Sequence, residues 1–169
     1  MNRLVNDVNI VPPSIELLFN NEKLDTIKFL CLLHAFSLVT KRHVKVVELL
    51  FYYGIVNFNL NKLFDENSQS FYSASNPSIN LYFRFQNKLP KIIINLTNLN
   101  LINFKGDFSK KREELILKIS SEGQNLIKEL DSEFFLELID KYNLVINSTK
   151  YTKHNLKILT EGKEYNDNK

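Results

Sequence analysis

The sequence is poor in the residues that build most catalytic, cofactor and metal sites. Its four glycines are far apart, which excludes a glycine-rich phosphate loop and a dinucleotide-binding fingerprint. A single cysteine, Cys31, excludes an internal disulfide and a cysteine-based zinc site. The three histidines follow no metal-ligand spacing. We therefore expect neither an enzyme nor a cofactor-binding protein, and no small-molecule substrate.

Long hydrophobic runs are also lacking. No stretch reaches the roughly 18 consecutive apolar residues that suggest a membrane-spanning helix. The first seven residues, Met1 to Asp7, do not form the apolar run of a secretory signal peptide. These two absences predict a cytoplasmic protein that has no membrane partner.

The chain does contain enough apolar material for one domain. It has 169 residues, of which 44% are hydrophobic, and a formal charge of +3. A chain of this size buries a core without disulfides or metals. Periodicity predicts a single α+β, mainly helical domain, with a helical body over about 12–64, a strand and hairpin region over about 79–119 and a C-terminal helical segment over about 121–165. The most apolar stretch, 24–39, predicts a central core helix.

Two further strands are predicted from alternating side chains. A helix over 44–53 follows the core helix, and Gly54 is expected to end it. Residues 55–60 then alternate in period two, which indicates a strand. Residues 79–86 alternate in the same way, and Pro90 is expected to lie near the start of the next helix.

The region over 89–130 is the most specific local pattern, in the order helix, strand, basic turn, strand, helix. The phrase Leu-Lys-Ile-Ser-Ser-Glu-Gly over 117–123 resembles the phrase that closes the hairpin, or wing, of many winged-helix domains. There a Ser or Thr caps the following helix, and a small residue, here Gly123, lets that helix start close to the sheet. The resemblance implies a winged-helix-like domain with a β-hairpin wing and C-terminal helices.

Basic residues cluster at two turns of this predicted fold. Winged-helix domains often bind DNA with one helix in the major groove and the wing on the backbone. The cations at the wing and at the polar joint before residue 44 are therefore candidate phosphate contacts. They are Lys105, Lys110, Lys111 and Arg112 at the wing, and Lys41 and Arg42 at the joint. The alternative for both clusters is a solvated turn.

The helix before the wing argues against a conventional DNA reader. It has no Lys or Arg between Lys91 and Lys105, and +3 is a modest charge for a nucleic-acid binder. Such a helix favours a protein-binding module. Aromatic side chains at the end of the second helix and in or beside the polar loop over 65–78 are candidate interface residues. They are Tyr52, Tyr53, Phe71, Tyr72 and Tyr82.

A Cys–His pair offers the enzyme alternative. Cys31 and His34 lie three residues apart on the predicted core helix, and such a pair can serve as nucleophile and base in a small hydrolase. Their neighbours are apolar, and no Asn or Asp nearby in the sequence would orient the histidine. We favour a structural histidine in the core or at an interface.

A second resemblance concerns the phrase Val-Lys-Val-Val-Glu-Leu-Leu-Phe-Tyr-Tyr-Gly-Ile-Val-Asn over 44–57. It is similar to a phrase in the middle components of bacterial ABC three-component anti-phage systems, which include the small subunit of Lamassu-type antiviral defence systems. The similarity covers about 24–64, and extends more loosely to Leu130. It implies a non-enzymatic accessory subunit that bridges an SMC-like or Rad50-like ABC ATPase to an effector such as a nuclease, with DNA contacted through the complex. The alternative is a stand-alone winged-helix transcription regulator that binds DNA.

Overall fold

The structure is a computed structural model that describes residues 21–64, 77–107 and 114–161. The predicted loop over 65–78 lies outside these ranges except for its last two residues. In chain order the elements are α1 (Glu22–Val39), β1 (Val44–Lys45), α2 (Val46–Asn57), a 3-10 helix (Leu60–Leu63), α3 (Pro77–Asn98), β2 (Ile102–Lys105), β3 (Ile116–Ile119), α4 (Ser121–Glu129), α5 (Glu133–Ser148) and α6 (Lys153–Glu161). The prediction of an α+β, mainly helical chain is confirmed.

The three strands form one antiparallel sheet in the order β1-β3-β2. Ile102 of β2 pairs with Ile119 of β3, so the two predicted hairpin strands are confirmed. β1 joins the other edge of β3, where Val44 pairs with Leu117. The predicted helix over 44–53 is therefore wrong at its first two residues, which are extended and hydrogen-bonded to the hairpin.

α1 is the central helix, as its composition predicts. Its residues are buried on successive positions from Phe29 to Leu33 and again at Ala35 and Phe36. A helix that is apolar on all sides needs neighbours on all sides, and α1 packs against α2, α3, α4, α5 and β3. Its N-cap is Asn21, whose side-chain oxygen accepts a hydrogen bond from the backbone N–H of Leu24 at 3.0 Å.

α2 does not end at Gly54, and the predicted strand over 55–60 is wrong. The helix continues to Asn57, and the 3-10 helix follows. Gly54 lies inside α2 because another helix packs against it: a Cβ atom there would lie 2.7 Å from Cδ2 of Tyr82. The glycine allows this close approach of α2 and α3 and is not a helix end.

The predicted strand over 79–86 is also wrong, because these residues form the first half of α3. The buried face of α3 has helical spacing, and Pro90 lies in the interior of the helix. The side chains buried on this face are Tyr82, Phe85, Leu89, Ile92, Ile93 and Leu96.

A serine caps α4, as predicted, but the capping-box spacing over 121–124 points to Ser121, and the cap is one residue earlier. Ser120 is the N-cap: its hydroxyl accepts from the Gly123 N–H at 3.0 Å and donates to the Asn100 carbonyl at 2.7 Å. The Ser120 N–H donates to the carbonyl of Leu101 at 3.0 Å. These bonds join the end of β3 to the turn after α3.

The C-terminal helices share the core of the helical body. Leu138, Ile139 and Tyr142 of α5 and Leu159 of α6 belong to the same buried cluster as α1 and α2. The hydroxyl of Tyr142 accepts from Nδ2 of Asn57 at 2.6 Å. The segment after 143 therefore folds on the rest of this chain, as far as residue 161.

Candidate functional site

The structure describes three of the six predicted phosphate contacts, Lys41, Arg42 and Lys105. Lys41, in the joint before β1, and Lys105, at the end of β2, are exposed. The cations of the wing tip, Lys110, Lys111 and Arg112, lie outside the described residues, and their role stays a prediction.

Arg42 is held by a carboxylate. Its Nη2 lies 2.6 Å from Oε1 of Glu48, and its Nη1 lies 3.1 Å from Oε2 of the same residue. This double hydrogen bond raises the pKa of Arg42 and offsets its charge, while Glu48 is almost fully buried in α2. Arg42 therefore fixes the joint to α2 and is a weaker candidate for a phosphate contact than Lys41.

Three of the predicted interface aromatics are core residues, which corrects the expectation that they form a docking surface. Tyr52, Tyr53 and Tyr82 are each at most 4% exposed. The ring of Tyr53 stacks on Phe85 with a centroid distance of 3.7 Å, and Tyr82 fills the space at Gly54. Phe71 and Tyr72 lie outside the described residues.

Tyr52 has a structural role of its own. Its hydroxyl donates to the carbonyl of Thr149 at 2.9 Å and accepts from the N–H of Tyr151 at 3.1 Å. Both bonds hold the connection between α5 and α6 against α2. Burial is the main cause that raises the pKa of Tyr52, so this hydroxyl stays protonated at neutral pH.

The Cys31–His34 pair is not arranged as a nucleophile and base. Cys31 is fully buried, and this burial raises the pKa of its thiol to about 12. A thiol that holds its proton so firmly is a poor nucleophile at neutral pH. Burial, and then the positive charge of Lys128, lowers the pKa of His34, and its Nδ1 is buried without a hydrogen-bond partner in the part of the chain that the structure describes.

Metal chemistry finds no support in the described ranges either. Within them, no group of three or more His, Cys, Asp or Glu side chains is close enough together to hold a metal ion.

One edge of α3 carries cations that are paired with α1. Nζ of Lys91 lies 2.7 Å from Oε2 of Glu22, and Nζ of Lys88 lies 3.5 Å from Oδ2 of Asp25. Nδ2 of Asn95 donates to Oε1 of Glu22 at 3.2 Å. These acids offset two of the three cations of α3, while Arg84 is exposed. The two ion pairs lower the attraction of this edge of the helix to DNA.

The other edge of α3 borders an apolar groove of about 450 Å³ between α2, α3 and α6. We call it the α3 groove. Its apolar walls include Val47 and Leu50 of α2, Phe83, Pro90 and Ile93 of α3, and Leu156 of α6. No charged side chain of the described ranges lines it, and the polar groups among its lining residues are two amides and two hydroxyls. The groove can accept an uncharged, apolar surface but offers no acid or base for catalysis.

Exposed apolar side chains continue along this side of α3. Phe83 is 41% exposed and Ile94 is 48% exposed, and the positions 83, 87, 90 and 94 follow helical spacing on one edge. Sequence reasoning missed this groove because the alternation over 79–86 predicted a strand. The helical spacing of 83, 90 and 94 was the signal that could have located it.

Within the described residues, no helix is both long and apolar enough to cross a lipid bilayer.

Comparison with known proteins assigns the chain to no family. No family model matches the chain, and no curated protein or solved structure shows significant similarity to it.

Proposed function

We propose that this chain is a non-enzymatic, winged-helix-like accessory subunit of a bacterial anti-phage defence complex, which bridges an SMC-like or Rad50-like ABC ATPase to an effector. The order of elements supports the winged-helix part of the proposal. A short strand lies between the first two helices, a hairpin follows a later helix directly, and the short strand pairs with the second hairpin strand. This is the arrangement expected of a winged helix whose wing is the β2–β3 hairpin.

The observation that carries the proposal is the contrast between the two edges of α3. Two of the three cations of α3, Lys88 and Lys91, are paired with acids of α1, and the third, Arg84, is exposed. The opposite edge presents Phe83 and Ile94 beside an apolar groove. Exposed apolar surface of this kind marks protein interfaces in water-soluble domains. In this proposal α3, which corresponds to the helix that reads DNA in other winged-helix proteins, contacts protein instead.

The occupant that fits the α3 groove is a helix of the ATPase subunit with an apolar, uncharged face. The walls of the groove carry no charge among the described residues, so a charged side chain entering it would lose its hydration without gaining a partner. A helix that places two or three aliphatic or aromatic side chains in such a groove is a common mode of recognition.

The test is to co-express the chain with the ATPase encoded beside it and to measure the affinity of the purified pair. Phe83→Asp places a charge at the rim of the groove, and we expect it to weaken the complex about tenfold or more. Leu144→Asp is the matched control, because Leu144 is 70% exposed on α5 and is not part of the groove. The control should bind like the wild type, and both variants should keep the wild-type circular dichroism spectrum.

The proposal fails if the two variants bind the ATPase equally well, or if the gene neighbourhood encodes no ATPase with coiled-coil arms. Nanomolar binding of the isolated chain to one specific duplex, with a steep salt dependence, would also contradict it.

That last result would favour the alternative, a stand-alone winged-helix transcription regulator. One observation speaks for it. Lys45 and Lys105 are both exposed and pair with the same residue of β3, Ile116, so they lie on one face of the sheet. Exposed lysines beside a wing are suited to phosphate contacts.

A further inference from the structure

The outer side of the sheet carries three lysines and no acid at its paired positions. Side chains alternate between the two sides of a strand, and the buried Val44, Leu117 and Ile119 mark the side that faces the core. The outer side therefore holds the residues that alternate with them and their partners in the register, which are Lys45, Asn103, Lys105, Ile116 and Lys118. We call these five residues the lysine face.

An isoleucine lies at the centre of the lysine face. Ile116 of β3 pairs with Lys45 on one side and with Lys105 on the other, and Lys118 lies two residues further along the same strand. Lysine stems pack over apolar neighbours while their ammonium groups stay in water. The face is therefore an aliphatic centre with positive charges around it.

The charges of the lysine face are not neutralised within the chain. In the part of the chain that the structure describes, no carboxylate forms an ion pair with any of the three lysines. Asp107 and Glu114 lie just beyond the ends of β2 and β3, but each already has an interaction partner. An acidic partner could therefore pair with these lysines without breaking an ion pair of the described residues.

The outer side of α5 has the opposite pattern, a leucine among acids. Four exposed residues follow the spacing of one helix face, and they are Glu133, Leu136, Glu137 and Asp140. Leu136 is 54% exposed. Glu137 has only a loose contact with Lys141, at 3.9 Å between two exposed side chains, and such a pair contributes little. We call these four residues the acidic face.

The two faces match in size as well as in charge. Glu133 and Asp140 are separated by about 10 Å along the helix axis. Lys45 and Lys105 lie on strands that are two strand spacings apart, which is also about 10 Å. Each face has one aliphatic side chain among three like charges, so contact between them would bury Leu136 against Ile116 while the charges pair around it.

We propose that the lysine face binds the acidic face of α5 in a second copy of this chain. The net charge of +3 is small, so two copies repel each other weakly, and the opposite charges at the contact prevail at short range. A nucleic-acid backbone would also be attracted to the lysines, but it has no apolar group to cover Ile116, and a phosphate loses hydration beside an aliphatic side chain. The inference goes beyond the proposed function, and no residue of either face lines the α3 groove.

Sedimentation of the full chain over a concentration series tests this contact. Small interfaces are transient, so the series extends to about 1 mM. We expect reversible self-association at low salt that disappears in about 1 M salt, where the Debye length falls to about 3 Å. The lysine variant, Lys45→Glu with Lys105→Glu, and the acid variant, Glu137→Lys with Asp140→Lys, should each weaken it about tenfold or more. An equimolar mixture of the two variants should associate again, because each supplies the intact face that the other lacks.

The matched control for the lysine variant is Lys150→Glu with Lys153→Glu. It makes the same change of charge at exposed positions outside both faces, before and at the start of α6, and it should associate within about twofold of the wild type. The proposal is overturned if the wild type stays monomeric throughout the series, if the control loses as much association as the lysine variant, or if the mixture of variants stays monomeric.

Nucleic acid is the competing occupant of the lysine face, and a DNA duplex titrated into the same variants tests it. If the lysine variant self-associates like the wild type but loses affinity for the duplex, the face binds nucleic acid and the proposal is overturned. Since the ATPase experiment depends on Phe83 and this one on the lysine and acidic faces, either proposal can fail without the other.

Discussion

Gly123 shows how one residue sets the spacing between two elements. It lies in the first turn of α4, directly beside the carbonyl group of Leu101. A Cβ atom there would overlap with that carbonyl oxygen and would lie 2.8 Å from Cγ1 of Ile119. The sequence predicted that a small residue at this point lets the helix begin close to the sheet, and the structure confirms it.

We expect Gly123→Ala to lower the free energy of unfolding by about 2 kcal/mol or more, because the backbone carbonyl of Leu101 has to move to admit the methyl group. Urea denaturation measures this change. Ser121→Ala is the control, since Ser121 is exposed and, among the residues that the structure describes, its hydroxyl bonds only to the side chain of Glu122. The control should stay within about 0.5 kcal/mol of the wild type, and equal stabilities of the two variants would contradict the steric argument.

At the scale of elements, α3 is where local pattern and tertiary structure disagree. Ile79, Leu81, Phe83 and Phe85 alternate as in a strand, but Leu81 and Phe83 are 37% and 41% exposed. The buried face instead follows steps of three and four residues from Tyr82 to Leu96. Over eight residues the same sequence fits both the period of two of a strand and the period of 3.6 of a helix. Only the contact with α1 and α2 decides between them.

Pro90 destabilises α3, and its effect on the free energy of unfolding can be measured. It lies inside α3, where proline has no N–H to donate to the carbonyl of Gln86 and is about 3 kcal/mol less favourable than alanine. The Pro90 ring also lines the α3 groove. Replacing it with alanine therefore removes packing contacts, and this loss offsets part of the stability gained by removing the proline. We expect Pro90→Ala to raise the free energy of unfolding by about 1–2 kcal/mol.

Pro77→Ala is the control for Pro90→Ala. Pro77 is the first residue of α3, a position where proline is tolerated because its missing N–H would have no partner in the helix. Thermal unfolding of both variants should show a higher midpoint for Pro90→Ala alone. A lower midpoint for Pro90→Ala would mean that packing of the ring outweighs the broken hydrogen bond.

At the scale of the whole molecule, α1, α2, α3 and α5 close around buried ionisable groups. Cys31, Tyr53 and Tyr142 are each at most 1% exposed, and burial raises the pKa of all three. In each case the folded state favours the protonated form. The stability that this provides is complete at neutral pH and declines once the unfolded chain begins to ionise.

Cys31 allows this linkage to be isolated. Its pKa is raised from 9.0 to about 12, so its contribution is present below pH 9.0 and is lost as the pH rises towards 12. The wild type should therefore lose stability relative to Cys31→Ala above pH 9, by at most about 1.4 kcal/mol per pH unit. The small cavity that the substitution leaves adds a difference that does not depend on pH. The influence of the Cys31 charge on the pKa of Tyr142 is part of the difference that is measured.

Urea denaturation at a series of pH values from neutral to alkaline measures the difference between the two proteins. A difference that stays constant across this range would show that the thiol ionises in the folded protein as readily as in the unfolded one.

Much of the fold was determined by the sequence alone, because its signals act over short distances. The apolar stretch over 24–39 makes a core helix, the two hairpin strands pair, and a serine caps α4. Helical periodicity, strand alternation and capping depend on neighbours within about four residues. The scarcity of Cys, His and Gly likewise needs no structure to exclude disulfides and phosphate loops.

Only the tertiary structure decided what the helices do to one another. Gly54 contacts Tyr82 because α2 and α3 cross there, and the same crossing buries Tyr53 and Tyr82, which the sequence predicted at an interface. The α3 groove joins residues that are far apart in the chain. Packing between distant segments determines which side of a helix faces the core. No local pattern in a single sequence records which distant segments pack together.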